Sequence, residues 1–234
     1  MVSFRSSLGR RLVRAIVLIT SLWIFGANAR ASTLDELLDR WLAAQVRIQI
    51  LSADFVQTRQ LKALVQPLRA EGHLWFVAPD DFRWELGKPV QTIAVRHGEE
   101  LLLIYPNLKR AERYSFGGKQ PGQLKDMLSL LEAGFPRSRE QIEQRFKLKL
   151  GPATNNCESI ILEPKASATR KLLPQITVSI ETNQFHLQAT ELKFTDGSTL
   201  RNEFTTSVIN TKLDPSIFQP QLNPEFKITE PLKH

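Results

Sequence analysis

The chain has 234 residues and a net charge of +7, with 31 basic residues against 24 acidic residues. Five of the basic residues and none of the acidic ones lie in the first 31 positions, so the rest of the chain has a net charge of only +2. A nucleic-acid-binding domain keeps a basic stripe in its folded part, so this class of protein is excluded. The single cysteine, Cys157, excludes an internal disulfide.

The first segment has the three parts of a secretory signal peptide. Arginines precede an apolar run over 15–27, and two small-x-small cleavage sites follow it. The run is shorter than the ~20 apolar residues of a membrane span. We therefore expect residues 1–31 to be removed on export and residues 32–234 to form a single domain. Because Cys157 lies far from the cleavage site, we do not expect a lipidated N-terminus.

Three helices are predicted. Thr33 and Glu36 have the spacing of a capping box, and the apolar residues that follow recur at the i, i+3, i+4, i+7 spacing of one helix face. A second amphipathic helix is expected over 122–132, and a third, shorter one over 139–145.

The remainder predicts β-strands, because apolar and polar residues alternate along it. Alternating runs cover 82–86, 176–181 and 200–208, and an Asp-Gly pair at 196–197 predicts a hairpin before the last of them. The run 101–105 is apolar at both odd and even positions, which indicates a strand covered on both faces. This period of two is typical of antiparallel sheet. The combination predicts an α+β architecture.

Residue patterns typical of catalysis or metal binding are scarce. The four histidines are scattered without the spacing of metal ligands. Paired carboxylates at 80–81 and 99–100 lie at predicted turns, and Cys157 has no neighbouring histidine. We expect no enzyme activity, no cofactor and no metal. What remains is an apolar, aromatic strand face at 82–86, which either fills a core or lines a ligand cavity.

Several short motifs follow one another in a definite order. They are Phe55-Val56-Gln57-Thr58, Gly72-His73-Leu74-Trp75-Phe76 with Pro79, Phe82-Arg83-Trp84-Glu85 with Pro89, His97-Gly98, Tyr105-Pro106, Leu162-Glu163-Pro164-Lys165, and finally Asn210, Leu213-Asp214, Phe218 and Pro220. This succession resembles the LolA-type periplasmic lipoprotein carriers over nearly the whole chain after residue 31. The resemblance implies an incomplete antiparallel β-barrel, a half-barrel whose apolar concave face is covered by helices.

The resemblance also implies where acyl chains lie. Trp84 occupies the family's cavity-lining Trp position, with Phe82 and Leu86 on the same strand face. The expected ligand-binding residues are Phe82, Trp84, Leu86, Ile93, Val95, Leu101, Leu103, Leu128, Leu131, Ile176, Val178 and Phe204. One departure concerns closure of the lid, the helices that cover the concave face. Family carriers usually have an arginine before the Pro that follows the second motif, and it helps to hold the lid shut by hydrogen bonds. This chain has Ala78 there. Either lid closure uses other groups, or this chain is a divergent member of the family with another acylated cargo.

By the same resemblance, the expected function is a monomeric periplasmic carrier. It takes acylated lipoprotein or other acylated lipid cargo from an inner-membrane transporter and passes it to an outer-membrane acceptor. An alternative is a periplasmic lipid-sensing signalling or regulatory module on the same fold. Two further alternatives are an enzyme on this scaffold, which requires Glu85 or His73 to point into the cavity, and a filled β-core without a ligand.

Overall fold

The computed structural model describes residues 33–115, 133–154 and 156–231. The helices are α1 (Leu34–Arg47), α2 (Arg139–Arg145) and α3 (Ser167–Leu172), with 3₁₀ turns at Pro106–Leu108 and Pro215–Phe218. The strands are β1 (Ile50–Gln60), β2 (Leu68–Val77), β3 (Asp81–Leu86), β4 (Thr92–His97), β5 (Glu100–Tyr105), β6 (Arg110–Ser115), β7 (Phe146–Leu150), β8 (Cys157–Pro164), β9 (Gln175–Glu181), β10 (Leu187–Lys193), β11 (Thr199–Ile209) and β12 (Lys227–Thr229). The helix expected over 122–132 lies outside the described residues. Within them, no helix has the length and apolarity to cross a membrane.

All of these strands belong to one open sheet, in the order β12-β6-β5-β4-β3-β2-β1-β11-β10-β9-β8-β7. Neighbouring strands pair antiparallel except β12, which runs parallel to β6. Because β12 and β7 are two unpaired edges of the order, the sheet is not closed. The structure confirms the predicted α+β fold with an incomplete antiparallel barrel.

Helix α1 begins with the predicted capping box. The Thr33 hydroxyl accepts a hydrogen bond from the Glu36 amide at 3.3 Å, and the Glu36 carboxylate accepts one from the Thr33 amide at 3.0 Å. The apolar face of the helix packs onto the β8–β9 side of the sheet and forms one core with it. The residues at the centre of this core are Leu37, Leu38, Trp41, Ile160, Leu162, Ile176 and Val178. This half of the concave face is therefore filled by side chains.

A bulge in β11 changes which residues face the concave side. The alternation in the sequence assigns Leu200, Phe204 and Val208 to one face. The register against β1 shifts between Asp54 and Phe55, so that Phe204 pairs with Phe55 but Val208 pairs with Ser52 on the outer face. An extra residue in one strand of an antiparallel pair has this effect. Val208 is consequently half-exposed.

The C-terminal segment covers part of the outer face. The 3₁₀ turn Pro215–Phe218 lies on β3 and β4. Phe218 is buried and its ring stacks with His97 at a centroid distance of 6.3 Å. Arg83 donates a hydrogen bond to the backbone oxygen of Ile217 at 2.9 Å. The outer face of the sheet is therefore covered along these strands.

Candidate functional site

Five aromatic rings form a cluster on the concave face beside the filled half. Phe55 and Trp84 lie 4.1 Å apart between ring centroids, and Phe204 lies 6.5 Å from Trp84. Phe135 stacks on Phe76 at 5.3 Å and meets Phe204 edge-on at 6.4 Å. Aromatic pairs at these separations favour offset and edge-to-face contacts. The cluster therefore links β1, β2, β3 and β11 to the segment before α2.

Two cavities lie against this cluster and share Trp84 and Phe135 as walls. The smaller has a volume of about 40 Å³ and is also lined by Leu74 and Phe82. The larger has a volume of about 340 Å³. Its apolar walls include Leu101, Leu103, Leu192, Phe194, Leu200 and Phe204. Small-molecule pockets have volumes of about 300 Å³ or more and are lined mainly by apolar side chains, so the larger cavity belongs to that class.

Several of the residues expected from sequence border these cavities. Phe82 and Trp84 line the smaller one, and Trp84, Leu101, Leu103 and Phe204 line the larger one. Leu86 packs against the apolar cluster formed by these strands. The structure therefore brings together residues from three separate parts of the sequence around one space.

Ile93 and Val95 have a different position from the one expected. In the register of β3 and β4, Trp84 pairs with Ala94, whereas Glu85 pairs with Ile93 and Arg83 with Val95. Side chains that are directly opposite in a sheet share a face. Ile93 and Val95 consequently lie on the outer face, where the C-terminal segment packs.

Ile176 and Val178 lie on the concave face but not at a cavity. Val178 pairs with Thr190 and Ile176 with Leu192, both of which line the larger cavity. The two side chains themselves are fully buried in the core beneath α1. They therefore act as packing residues at the edge of the hollow region. Leu128 and Leu131 lie outside the described residues.

Sequence reasoning did not identify Phe135 or Arg137. Arg137 donates hydrogen bonds to the backbone oxygens of Gln45 at 2.9 Å and Ile48 at 3.1 Å, and its guanidinium lies 5.8 Å from the Phe76 ring centroid. A cation at the C-terminal end of a helix interacts favourably with the helix dipole. Arg137 thus ties the segment carrying Phe135 to the end of α1. An irregular segment has no periodicity that could have revealed this contact.

Polar groups stand at the β6 side of the larger cavity. Tyr114 pairs with Leu101 and Glu112 pairs with Leu103, so both polar side chains share the face of the cavity-lining leucines. The Tyr114 hydroxyl donates to the Glu112 carboxylate at 2.8 Å, and Arg110 pairs with Glu112 at 3.0 Å. Burial, followed by the hydrogen bond to Glu112, raises the pKa of Tyr114 to about 12. The face that carries the cavity-lining leucines of β5 therefore continues into polar side chains on β6.

The groups that an enzyme on this scaffold would need lie on the other side of the sheet. His73 pairs with Asp54 and with Glu85 across the strands, opposite in face to Trp84. The two ring nitrogens of His73 lie 2.8 Å from the Ser52 hydroxyl and 2.7 Å from the Asp54 carboxylate. Neither His73 nor Glu85 points into the cavity. Among the described residues, no group of three or more His, Cys, Asp or Glu could hold a metal.

Residues 47–221 match the family model described as outer membrane lipoprotein carrier protein LolA. The chain belongs to the LolA family. The resemblance inferred from the motif order is confirmed. This is a family of carrier proteins, which supports a lipid- or lipoprotein-binding role. No curated protein matches the sequence.

Solved structures share the fold of this LolA-family chain at low sequence identity. An uncharacterized conserved protein from Thermus thermophilus has a TM-score of 0.53 and 10% identity, covering 85% of this chain and 99% of that chain. The complex of MucA and MucB from Pseudomonas aeruginosa has a TM-score of 0.46 and 12% identity, covering 85% of this chain and 64% of that chain. A LolA superfamily protein from Nitrosomonas europaea has a TM-score of 0.41 and 7% identity, covering 80% of this chain and 98% of that chain. At these identities the likeness concerns the fold alone.

Proposed function

We propose that this LolA-family protein is a periplasmic carrier for the acyl chains of lipoproteins. It takes them from an inner-membrane transporter, holds them in the larger cavity beside Trp84 and passes them to an outer-membrane acceptor. The observation that carries the proposal is an apolar cavity of about 340 Å³ on the concave face of a sheet whose other half is filled by α1. Membership of a family of lipoprotein carriers supports an acyl chain as the ligand of that cavity.

The need for such a cavity follows from the hydrophobic effect. Each buried methylene contributes ~0.8 kcal/mol, so an acyl chain of about 15 methylenes resists transfer into water by ~12 kcal/mol. A carrier must offset most of this cost and still release the chain to its acceptor. A largely apolar cavity next to the polar side chains of Tyr114 and Glu112 on the neighbouring strand suits a molecule that has an apolar chain and a polar head.

The proposed cavity wall consists of residues from both the sheet and the segment before α2. It comprises Phe82, Trp84, Leu86, Leu101, Leu103, Phe135 and Phe204. Leu128 and Leu131 stay in the proposal because their helical spacing would place both on one apolar face. Ile93 and Val95, on the outer face, are left out.

Export and assembly state form part of the proposal. The basic start, the short apolar run and the small-x-small sites support cleavage after residue 31 and a periplasmic location. We propose that residues 32–234 form one domain that acts as a monomer, because a carrier that exchanges cargo must expose its cavity to two successive partners.

The experiment is native mass spectrometry of the protein isolated from the periplasm, followed by organic extraction. A mass without the first 31 residues and with an acylated molecule attached supports the proposal. Trp84→Glu would place a charge in the apolar wall and abolish co-purified cargo, because burying an unpaired carboxylate is costly. Trp75→Glu makes the same change on the outer face and is the matched control.

A protein that carries no lipid and takes up no added acyl probe would contradict the carrier function. A stable complex with an inner-membrane regulator, in place of transient cargo exchange, would favour the lipid-sensing signalling module.

A further inference from the structure

A row of three polar side chains crosses the wall of the larger cavity from β1 through β11 to β10. Gln57, Asn202 and Thr190 stand directly opposite one another in the strand register. The Gln57 amide donates a hydrogen bond to the Asn202 carbonyl oxygen at 2.9 Å, and the Asn202 amide donates to the Thr190 hydroxyl at 3.3 Å. All three border the cavity. They form what we call the polar row.

The polar row is surrounded by apolar side chains on the same face. Leu200 and Phe204 flank Asn202 along β11, and Leu192 follows Thr190 along β10; all three line the cavity. Asn202 is only 7% exposed. Burying polar groups in an apolar wall costs free energy even when they are partly paired. A ligand made of hydrocarbon alone would form no hydrogen bonds with these side chains.

The polar row has hydrogen-bonding capacity beyond its internal bonds. Thr190 accepts from Asn202, which leaves its own hydroxyl proton to donate. Asn202 uses one of its two amide protons, and the carbonyl oxygen of Gln57 stays available as an acceptor. The row can therefore donate to a carbonyl oxygen and accept from an amide proton.

We propose that the polar row binds the ester or amide group that joins an acyl chain to its head, while the apolar walls hold the chain. The Thr190 hydroxyl and the Asn202 amide donate to the ligand's carbonyl oxygen. Where that carbonyl belongs to an amide, its N–H donates to Gln57. The proposal rests on the carrier function and adds to it the chemistry by which a linked acyl group is distinguished from plain hydrocarbon.

The test compares three ligands of one chain length: methyl decanoate, decanamide and decane. Each competes with a fluorescent probe for the cavity of the purified protein. Thr190→Val keeps the shape of the side chain and removes its hydroxyl, so the affinity for the ester and the amide should fall about fivefold. The affinity for decane should stay unchanged. Thr206→Val, on the outer face of β11, is the matched control and should affect none of the three.

Two further variants separate the roles within the polar row and keep the test independent of folding. Asn202→Leu should also weaken the ester and the amide, with circular dichroism and thermal unfolding reporting whether the sheet is intact. Gln57→Leu should weaken decanamide more than methyl decanoate, because only the amide offers a proton to Gln57.

Each outcome decides the matter. Equal losses for decane and the two carbonyl ligands, or no loss for any of them with Thr190→Val, would overturn the assignment while leaving the carrier function standing. A wild-type protein that binds none of the three ligands would overturn the carrier function, and the assignment with it.

Discussion

Gly72 determines how the aromatic cluster packs, because the ring of Phe55 lies directly over it. A Cβ atom at this position would lie 2.1 Å from the Phe55 ring and 2.5 Å from the Glu85 backbone oxygen. A shift of the ring would change its contact with Trp84, whose ring centroid lies 4.1 Å away. The Glu85 oxygen belongs to the backbone of β3, so it cannot move as freely as the end of a side chain. The absence of a side chain at Gly72 therefore allows the Phe55 ring to take its place in the aromatic cluster beside the cavity.

We expect Gly72→Ala to lower the free energy of unfolding by about 1–3 kcal/mol, the cost of overpacking a well-packed core. Urea denaturation measures the change. Gly134→Ala is the control, because its added Cβ meets only the ends of the Leu187 and Thr190 side chains at 3.2 and 3.3 Å. If Gly72→Ala costs no more stability than Gly134→Ala, the close approach of Phe55 is not the constraint we describe.

Tyr114 gives the protein a pH dependence at the alkaline end. Its pKa is raised to about 12, chiefly by burial, from an ordinary value of 10.0. The folded state thus favours the neutral phenol, so this stabilising contribution is complete below pH 10 and is lost as the pH rises toward 12. Absorbance of the phenolate should show one tyrosine titrating late, and Tyr114→Phe should remove that late step. A wild-type titration without a late step would contradict this environment for Tyr114.

At the scale of elements, the segment 133–138 connects the cavity to α1 through one side chain. Arg137 makes two hydrogen bonds to backbone oxygens at the end of that helix, and its own backbone amide donates to Gln141 at 2.9 Å. Phe135, two residues earlier, lines both cavities. In this chain Ala78 stands where family carriers usually have an arginine, and Arg137 ties the other side of the cavity to the helix.

We expect Arg137→Met to reduce the free energy of unfolding by about 1.5–3 kcal/mol, because a charged donor is lost from buried carbonyl groups. Met keeps much of the side-chain length, so the change reports on the hydrogen bonds more than on packing. Limited proteolysis should show faster cleavage within 133–138. Arg137→Lys, which keeps the charge but not the fork of donors, should recover part of the stability. Equal stability of wild type and Arg137→Met would contradict the role of Arg137 as the anchor of this segment.

The elements themselves were largely predictable from the sequence, and the face that each strand presents was less so. The capping box of Thr33 and Glu36 and the period of two along β3 depend on neighbours in sequence, which a single chain reveals. Alternation in β4 shows that Ile93 and Val95 share a face, but it does not show which face. The C-terminal segment packs over that side, and a contact between residues so distant along the chain leaves no local pattern.

The cavity was predictable only in part for the same reason. The aromatic face of Trp84 and the motif order indicated its place. Phe135 lies in an irregular segment without periodicity, and the polar row becomes visible only when β1, β10 and β11 lie side by side. The bulge that moves Val208 to the outer face likewise depends on pairing between strands that are far apart in sequence.

At the scale of the whole sheet, the concave face has two halves that differ in their packing. Beneath α1, residues such as Leu162 and Val178 are completely buried in a packed core. Beside Trp84, residues such as Leu103 face a void of about 340 Å³. The side chains that line this open cavity lack part of the packing contacts that side chains in a filled core make. Under the proposed function, a bound acyl chain would supply these contacts.

This asymmetry predicts opposite responses to one substitution. Leu103→Trp should fill part of the void, keep or raise the thermal unfolding temperature, and lower the affinity for acyl ligands about tenfold or more because the added ring occupies their space. Leu162→Trp should overpack the filled half and cost about 1–3 kcal/mol of stability. Thermal unfolding and probe displacement, measured on both variants, check the pair. Destabilisation of both variants to the same extent would mean that the two halves are equally packed, and that the cavity is not a space reserved for cargo.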